Sequence, residues 1–304
     1  MKPEAGGDQR KREPMSFQER LSTGEFVILA EMNTPKGVDT SPLVSLARRL
    51  KGRVDAVTVP DMDNGIMRMS ALAGAVILNQ QGIEPILHVY CRDRNRMALQ
   101  GDILTAYALG IQNLVVVDSE DIANCDHQET MPVNDLDELG LIGAIRSLQQ
   151  GVDLAGLELN GAPKFVVGCT MAQYADEQAL ERELEATRKK VEGGAEFVVT
   201  PAVYDLKLFS SFMDRAESLG VPIIATVFLL KSVGSARYIA NTEPASGISE
   251  ELIRRIRKAS DREMECLRLA GETAAALKEL AQGVRFVTLG WEHRLPAILD
   301  YAGL

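Results

Sequence analysis

Glu31 stands near the end of an apolar run at 26–32 (FVILAEM). A carboxylate in such a run is costly to bury unless it is paired or used. Burial raises a carboxyl's affinity for its proton, which suits general acid work near neutral pH. The plainer alternative is a glutamate neutralised by a neighbouring lysine. His88 lies inside a second apolar run, 85–91 (PILHVYC), as a core imidazole or a ligand contact. Arg92, Arg94 and Arg96 follow, interleaved with Asp93 and Asn95. Their guanidinium groups could reach a phosphate or carboxylate, or form a solvated loop with a helix cap. Lys189 and Lys190 lie late in a helical stretch, where cations also favour the C-terminal dipole. The cysteines at 91, 125, 169 and 266 show no CxxC spacing, so neither a disulfide framework nor a self-contained zinc site is expected. Cys125 and His127 are at most half of a metal site, and no metal is expected.

These side chains need elements to position them. Short apolar runs at 26–32, 54–59, 85–91, 113–117, 164–169, 196–200, 222–228 and 284–289 alternate with helical patterns. Continuous apolar runs suit parallel strands buried on both faces. Strands separated by helices imply right-handed crossovers, and eight in this length predict a closed (β/α)8 TIM barrel with extra C-terminal helices. A doubly wound open sheet is the competitor, weakened because no G-x-G-x-x-G follows the first run and no P-loop occurs. Barrel chemistry collects at strand C-termini. The wall candidates are therefore Glu31, Thr58 with Asp61, His88 and Cys91, Asp118, Ser119 and Glu120, Cys169 and Thr170, Thr200, Phe228 and Trp291.

The 304 residues are 46% apolar and 25% charged, which are values of a folded chain. The net charge of −10 argues against a nucleic-acid partner. Apolar stretches are too short for a membrane helix of about 20 residues. Residues 1–17 lack the apolar centre of a secretory signal. Residues 1–20 are expected to be a disordered tail, and 21–304 a single barrel domain in the cytoplasm with reduced thiols.

Seven strings, in order, resemble the methylenetetrahydrofolate reductase family in its short bacterial and archaeal form. They are LAEMNTPKG (29–37), VDAVTVPDMDNGIMRMS (54–70), GIEPILHVYCRDRNR (82–96), YALGIQNLVVV (107–117), KKVEGGAEFVVTPAVYD (189–205), GVPIIATVFLLKSVGSARY (220–238) and LGWEHRLPAIL (289–299). The resemblance implies a barrel holding FAD non-covalently. It also implies hydride transfer to the methylene carbon of 5,10-methylenetetrahydrofolate, giving 5-methyltetrahydrofolate for methionine biosynthesis. Glu31 would be the acid that protonates a ring nitrogen. Thr58, His88, Ser119, Glu120, Glu183, Ala186, Lys189 and Lys190 would contact the cofactor. Glu120, Thr200 and Tyr204 would contact the folate. The electron source would be a reduced nicotinamide or a protein donor, and family analogy allows a partner subunit or a homo-oligomer.

The chain departs from the family pattern at ligand positions. Asp118-Ser119-Glu120 stands where the family has Gly-Asp, adding a side chain where backbone approached the flavin. Thr200-Pro201 replaces Thr-Gln, removing an amide that contacts the pterin, and Trp291 replaces an arginine, although the short form often has Gly-Trp-Glu there. Two readings stay open. One is a reductase with an altered site. The other is a diverged barrel acting as a subunit, or on another ligand, in one-carbon metabolism. A cofactor-free barrel with a Schiff-base lysine is a third reading, with Lys231 the nearest candidate.

Overall fold

A computed structural model describes residues 15–62, 65–117, 125–127 and 129–304. Eight strands carry the chain: β1 (Val27–Glu31), β2 (Ala56–Val59), β3 (Pro85–Tyr90), β4 (Asn113–Val117), β5 (Val166–Thr170), β6 (Phe197–Ala202), β7 (Ile223–Phe228) and β8 (Gly283–Val287). Each pairs in parallel with its sequence neighbour, and β8 pairs with β1, closing the barrel. The expected (β/α)8 architecture is therefore present. The closure leaves no open sheet edge.

Helices α2 (Ser41–Leu50), α3 (Ala71–Gln80), α4 (Arg96–Ala108), α5 (Glu138–Gln149), α6 (Glu177–Gly193) and α7 (Leu206–Ala216) link successive strands from β1 to β7. The side chain of Asn95 accepts from the amides of Met97 and Ala98, so the residue expected to cap α4 does so. Between β7 and β8 the chain inserts α8 (Val233–Thr242), α9 (Glu250–Lys258) and α10 (Arg262–Leu277), and α11 (Leu295–Ala302) follows β8. Helix α10 buries Cys266, Leu267, Ala270, Gly271, Ala274 and Leu277. These late helices thus cover the barrel. Among the described residues, no helix is long and apolar enough to cross a membrane.

The core has two parts. One lies between strands and helices. The other fills the barrel with Val27, Leu29, Ala56, Ile86, Val115, Val166, Phe197, Val199 and Ile224. Gly168 makes room for Phe197 here, since a Cβ on Gly168 would sit 2.3 Å from that ring.

The amino-terminal boundary differs from the expectation. Residues 17–20, expected to belong to a tail, begin helix α1 (Phe17–Thr23), which starts with a capping box between Ser16 and Glu19. Phe17 is fully buried inside the lower barrel, edge-on to Phe197 at 5.2 Å. Arg20 is buried too, with its Nε 2.8 Å from Asp55. A polar, charge-rich neighbourhood hid this single apolar anchor from periodicity.

Candidate functional site

Strand side chains alternate between barrel interior and helix layer. With Val27 and Leu29 inside, Glu31 must also point inward. The same period brings His88 and Tyr90 inward after Ile86, and Arg285 inward after Gly283. It turns Cys91 and Cys169 outward into the helix layer, so these two wall candidates do not reach the interior. Burial pushes the Cys169 thiol up to about 12.

The inward groups line a cavity of about 320 Å³ at the strand C-termini. Glu31, His88, Thr170, Thr200 and Phe228 all border it, together with Pro201. Arg285 Nη1 lies 3.3 Å from Glu31 Oε2, with both side chains largely buried. Arg285 also donates from Nε and Nη2 to Thr226 Oγ1, at 3.3 and 3.1 Å. Thr226 Oγ1 in turn donates to the Thr200 carbonyl at 2.6 Å. Glu31 is therefore paired, by an arginine of β8 rather than by a lysine.

His88 is 4% exposed. Its Nδ1 lies 3.5 Å from the Tyr90 hydroxyl, and its Nε2 is buried with no hydrogen-bond partner. Burial, then the positive charge of Arg285, holds its pKa well below 6.5, so the ring is neutral at neutral pH. Thr58 is fully buried on β2, bonded to the Ala30 carbonyl at 3.4 Å.

The remaining expected cofactor contacts gather elsewhere. Ala186, Lys189 and Lys190 line a second cavity, of about 640 Å³, between α5 and α6. Lys190 is 6% exposed. Its Nζ sits 2.9 Å from Glu138 Oε2 and donates to the Thr170 carbonyl. Lys189 and Arg182 are exposed cations in the same groove. Glu183 accepts the Ala172 amide at 2.8 Å, tying α6 to the end of β5. Tyr204 lines a small side cavity of about 60 Å³ behind Pro201, and burial raises its hydroxyl pKa. Asp118, Ser119 and Glu120 lie outside the described residues.

Several alternatives left open by the residue pattern now resolve. Arg92 binds Asp93, Arg94 binds Asp61 and Asp102, and Arg96 binds Asp135. This run is thus braced by local carboxylates, with Arg92 also on the wall of the central cavity. Trp291 and Lys231 stand outside the central cavity lining, the ammonium 5.6 Å from the indole centroid. Cys125 donates to the His127 carbonyl. Among the described residues, no group of three or more His, Cys, Asp or Glu is placed to hold a metal.

Sequence reasoning missed Arg285 and Thr226. The available signal was the same one that marked Glu31: a charged residue inside an apolar strand, here VRFVTL (284–289).

A closed parallel barrel with its polar groups at the strand C-termini is the architecture of the (β/α)8 enzymes. Solved structures with this fold include 2,3-dimethylmalate lyase, a PEP mutase/isocitrate lyase superfamily member. It has a TM-score of 0.55 and 13% identity, covering 96% of this chain and 87% of that one. EDTA monooxygenase from Chelativorans sp. BNC1 has a TM-score of 0.52 and 10% identity, covering 92% and 94%. Identities this low show the fold alone. The family is shown by sequence. Residues 16–303 match the methylenetetrahydrofolate reductase family, and the chain belongs to it. Methylenetetrahydrofolate reductase 2 of Schizosaccharomyces pombe (strain 972 / ATCC 24843) is 22% identical over 236 residues. The match covers 73% of this chain and 36% of that relative, so the chain spans only about a third of its length.

Proposed function

We propose that this protein reduces 5,10-methylenetetrahydrofolate to 5-methyltetrahydrofolate with a bound FAD, using Glu31 as the proton donor. The observation that carries the reading is Glu31 itself. In a chain matched to this family over residues 16–303, it is inward-facing, 5% exposed, and set on the wall of the cavity at the strand C-termini.

The residues present fit a flavin. The buried, unpartnered Nε2 of His88 offers one hydrogen bond to a polar ring edge, and Thr58 lies on the neighbouring strand. The groove that would take a diphosphate holds Arg182, Lys189 and Lys190, set among the carboxylates of Asp137, Glu138, Glu181 and Glu185. When bound, the flavin supplies the hydride. The chain supplies the proton. Glu31 Oε transfers it to a ring nitrogen of the folate, the carbon–nitrogen bond opens, and an electrophilic iminium carbon results. The carboxylate left on Glu31 is stabilised by the guanidinium of Arg285. Thr200 lines the cavity proposed to take the folate, and Tyr204 lies in the adjoining side cavity with Pro201 between them in the lining. Electrons come from a reduced nicotinamide or a protein donor.

The second reading, a diverged barrel without this activity, draws on two observations. Pro201 borders the cavity without a side-chain donor, and Glu138 already neutralises Lys190. One experiment separates the two. The purified protein is titrated with FAD by visible absorbance, and turnover is then measured for Glu31→Gln. The reductase reading requires stoichiometric flavin binding and a loss of at least about 100-fold in turnover with flavin binding kept. A colourless protein that ignores FAD overturns it in favour of the diverged barrel.

A further inference from the structure

Arg285, on the wall of the central cavity, is held from two strands at once. Register explains why. Arg285 pairs with Thr226 across β7 and β8, so the threonine hydroxyl lies beside the guanidinium. The Thr226 hydroxyl proton is committed to the Thr200 carbonyl, leaving its lone pairs for Arg285 Nε and Nη2. On the other side, Arg285 pairs with Leu29 across β8 and β1. Glu31 is two residues further along β1 on the same face, within diagonal reach of a long side chain. Two nitrogens anchored on β7 therefore aim the third, Nη1, at Glu31 on β1. A planar fork makes these contacts from three different nitrogens, a geometry that a single ammonium does not reproduce.

We propose that Arg285 is a positioning residue for the proton donor: it orients the Glu31 carboxyl toward the cavity and holds a counter-charge against the carboxylate that remains once the proton is given. The role of Glu31 as donor rests on the function proposed above, while the Arg285–Glu31 relationship does not. The titratable and charged groups that share the cavity with Glu31, among the described residues, are Arg285 on β8, His88 and Tyr90 on β3, and Arg92 just after β3. His88 is neutral, and Arg92 is engaged by Asp93. Arg285 Nη1 itself stands 3.3 Å from Glu31 Oε2. An opposite charge this close lowers a carboxyl pKa by about 1–3 units, and its loss must raise the pKa again.

The test uses the full chain with glutamate labelled by carbon-13 at the side-chain carboxyl. The Glu31 signal is the one absent from Glu31→Gln. Its titration midpoint is compared in the wild type, Arg285→Gln and Arg285→Lys. The midpoint should rise by at least about one pH unit in Arg285→Gln, with partial recovery in Arg285→Lys. An unchanged midpoint overturns the proposal. If Arg285→Gln does not fold, the charge-free Arg285→Met takes its place, with the same rise expected and an unchanged midpoint again overturning the proposal.

The pH profile of turnover supplies the second arm. In Arg285→Gln the limb where rate falls with rising pH should move to higher pH by the same interval, while the low-pH plateau drops about tenfold because the donor is weaker. A shifted midpoint with no folate reduction by the wild type sinks the proposed function and keeps the Arg285 assignment. An unchanged midpoint with turnover lost in Glu31→Gln does the reverse.

Discussion

Lys190 Nζ lies 2.9 Å from Glu138 Oε2, joining the end of α6 to the start of α5 beneath the outer groove. The same nitrogen donates to the carbonyl of Thr170, the last residue of β5. The pair spends on structure a charge that the family resemblance assigns to the cofactor. Glu138→Gln should therefore tighten FAD binding by about three- to tenfold, because a diphosphate no longer competes with a carboxylate. Flavin fluorescence titration measures this. Glu138→Ala should also cost about 1–3 kcal/mol in urea unfolding, because it strips a mostly buried ammonium of its counter-charge.

Phe17 anchors α1 inside the lower barrel with no exposed surface. Phe17→Ala should lower the unfolding free energy by about 3–5 kcal/mol, the usual cost of emptying a large aromatic site. Phe17→Leu should cost far less. Urea midpoints of the two variants check this, and a near-neutral Phe17→Ala would mean that α1 docks independently of its aromatic ring.

Gly168 and Phe197 share one layer of the barrel interior, on the paired strands β5 and β6. Gly168→Ala should destabilise by about 1–3 kcal/mol, because the ring must move from a close-packed position. Adding Phe197→Leu should make the double variant less destabilised than the two single costs together. Thermal unfolding of all four proteins in the cycle gives the coupling energy.

His88 makes stability depend on acidity. Its folded pKa lies well below the ordinary 6.5, so below that pH the unfolded chain binds a proton that the folded chain refuses. Stability from this group is fully present above pH 6.5 and is lost as pH falls toward the folded pKa, by up to about 1.4 kcal/mol per pH unit. His88→Gln should flatten the stability profile between about pH 6.5 and 5. Urea unfolding across that range measures the slope, and an unchanged slope would assign it to carboxylates instead.

The strand and helix order was readable because each element carries a local signal. The run NLVVV coincides with β4 at both ends, and Asn95 caps α4. The family resemblance stood on residues that lie around the cavity, including Glu31 and His88. Where local signals conflict, reading stops short. Strand β6 continues through Pro201 to Ala202, with a register irregularity between Val199 and Ala202. Proline marks a break in sequence, but at a bulge its missing N–H costs no ladder bond.

That Glu31 shares a face with Val27 and Leu29 was determined by the sequence itself, through the two-residue period of β1. That this face is the barrel interior was decided by closure of the sheet. Which charge answers Glu31 was decided only by tertiary structure. Glu31 meets Arg285 across 254 positions of chain because β8 closes against β1. Lys190 meets Glu138 because α5 and α6 pack side by side. Phe17 earns its place because a closed barrel has an open lower end to fill. Periodicity sets which side chains share a face, since it depends on backbone geometry alone. Neutralisation depends on which strands and helices become neighbours, and that is settled by closure of the whole sheet.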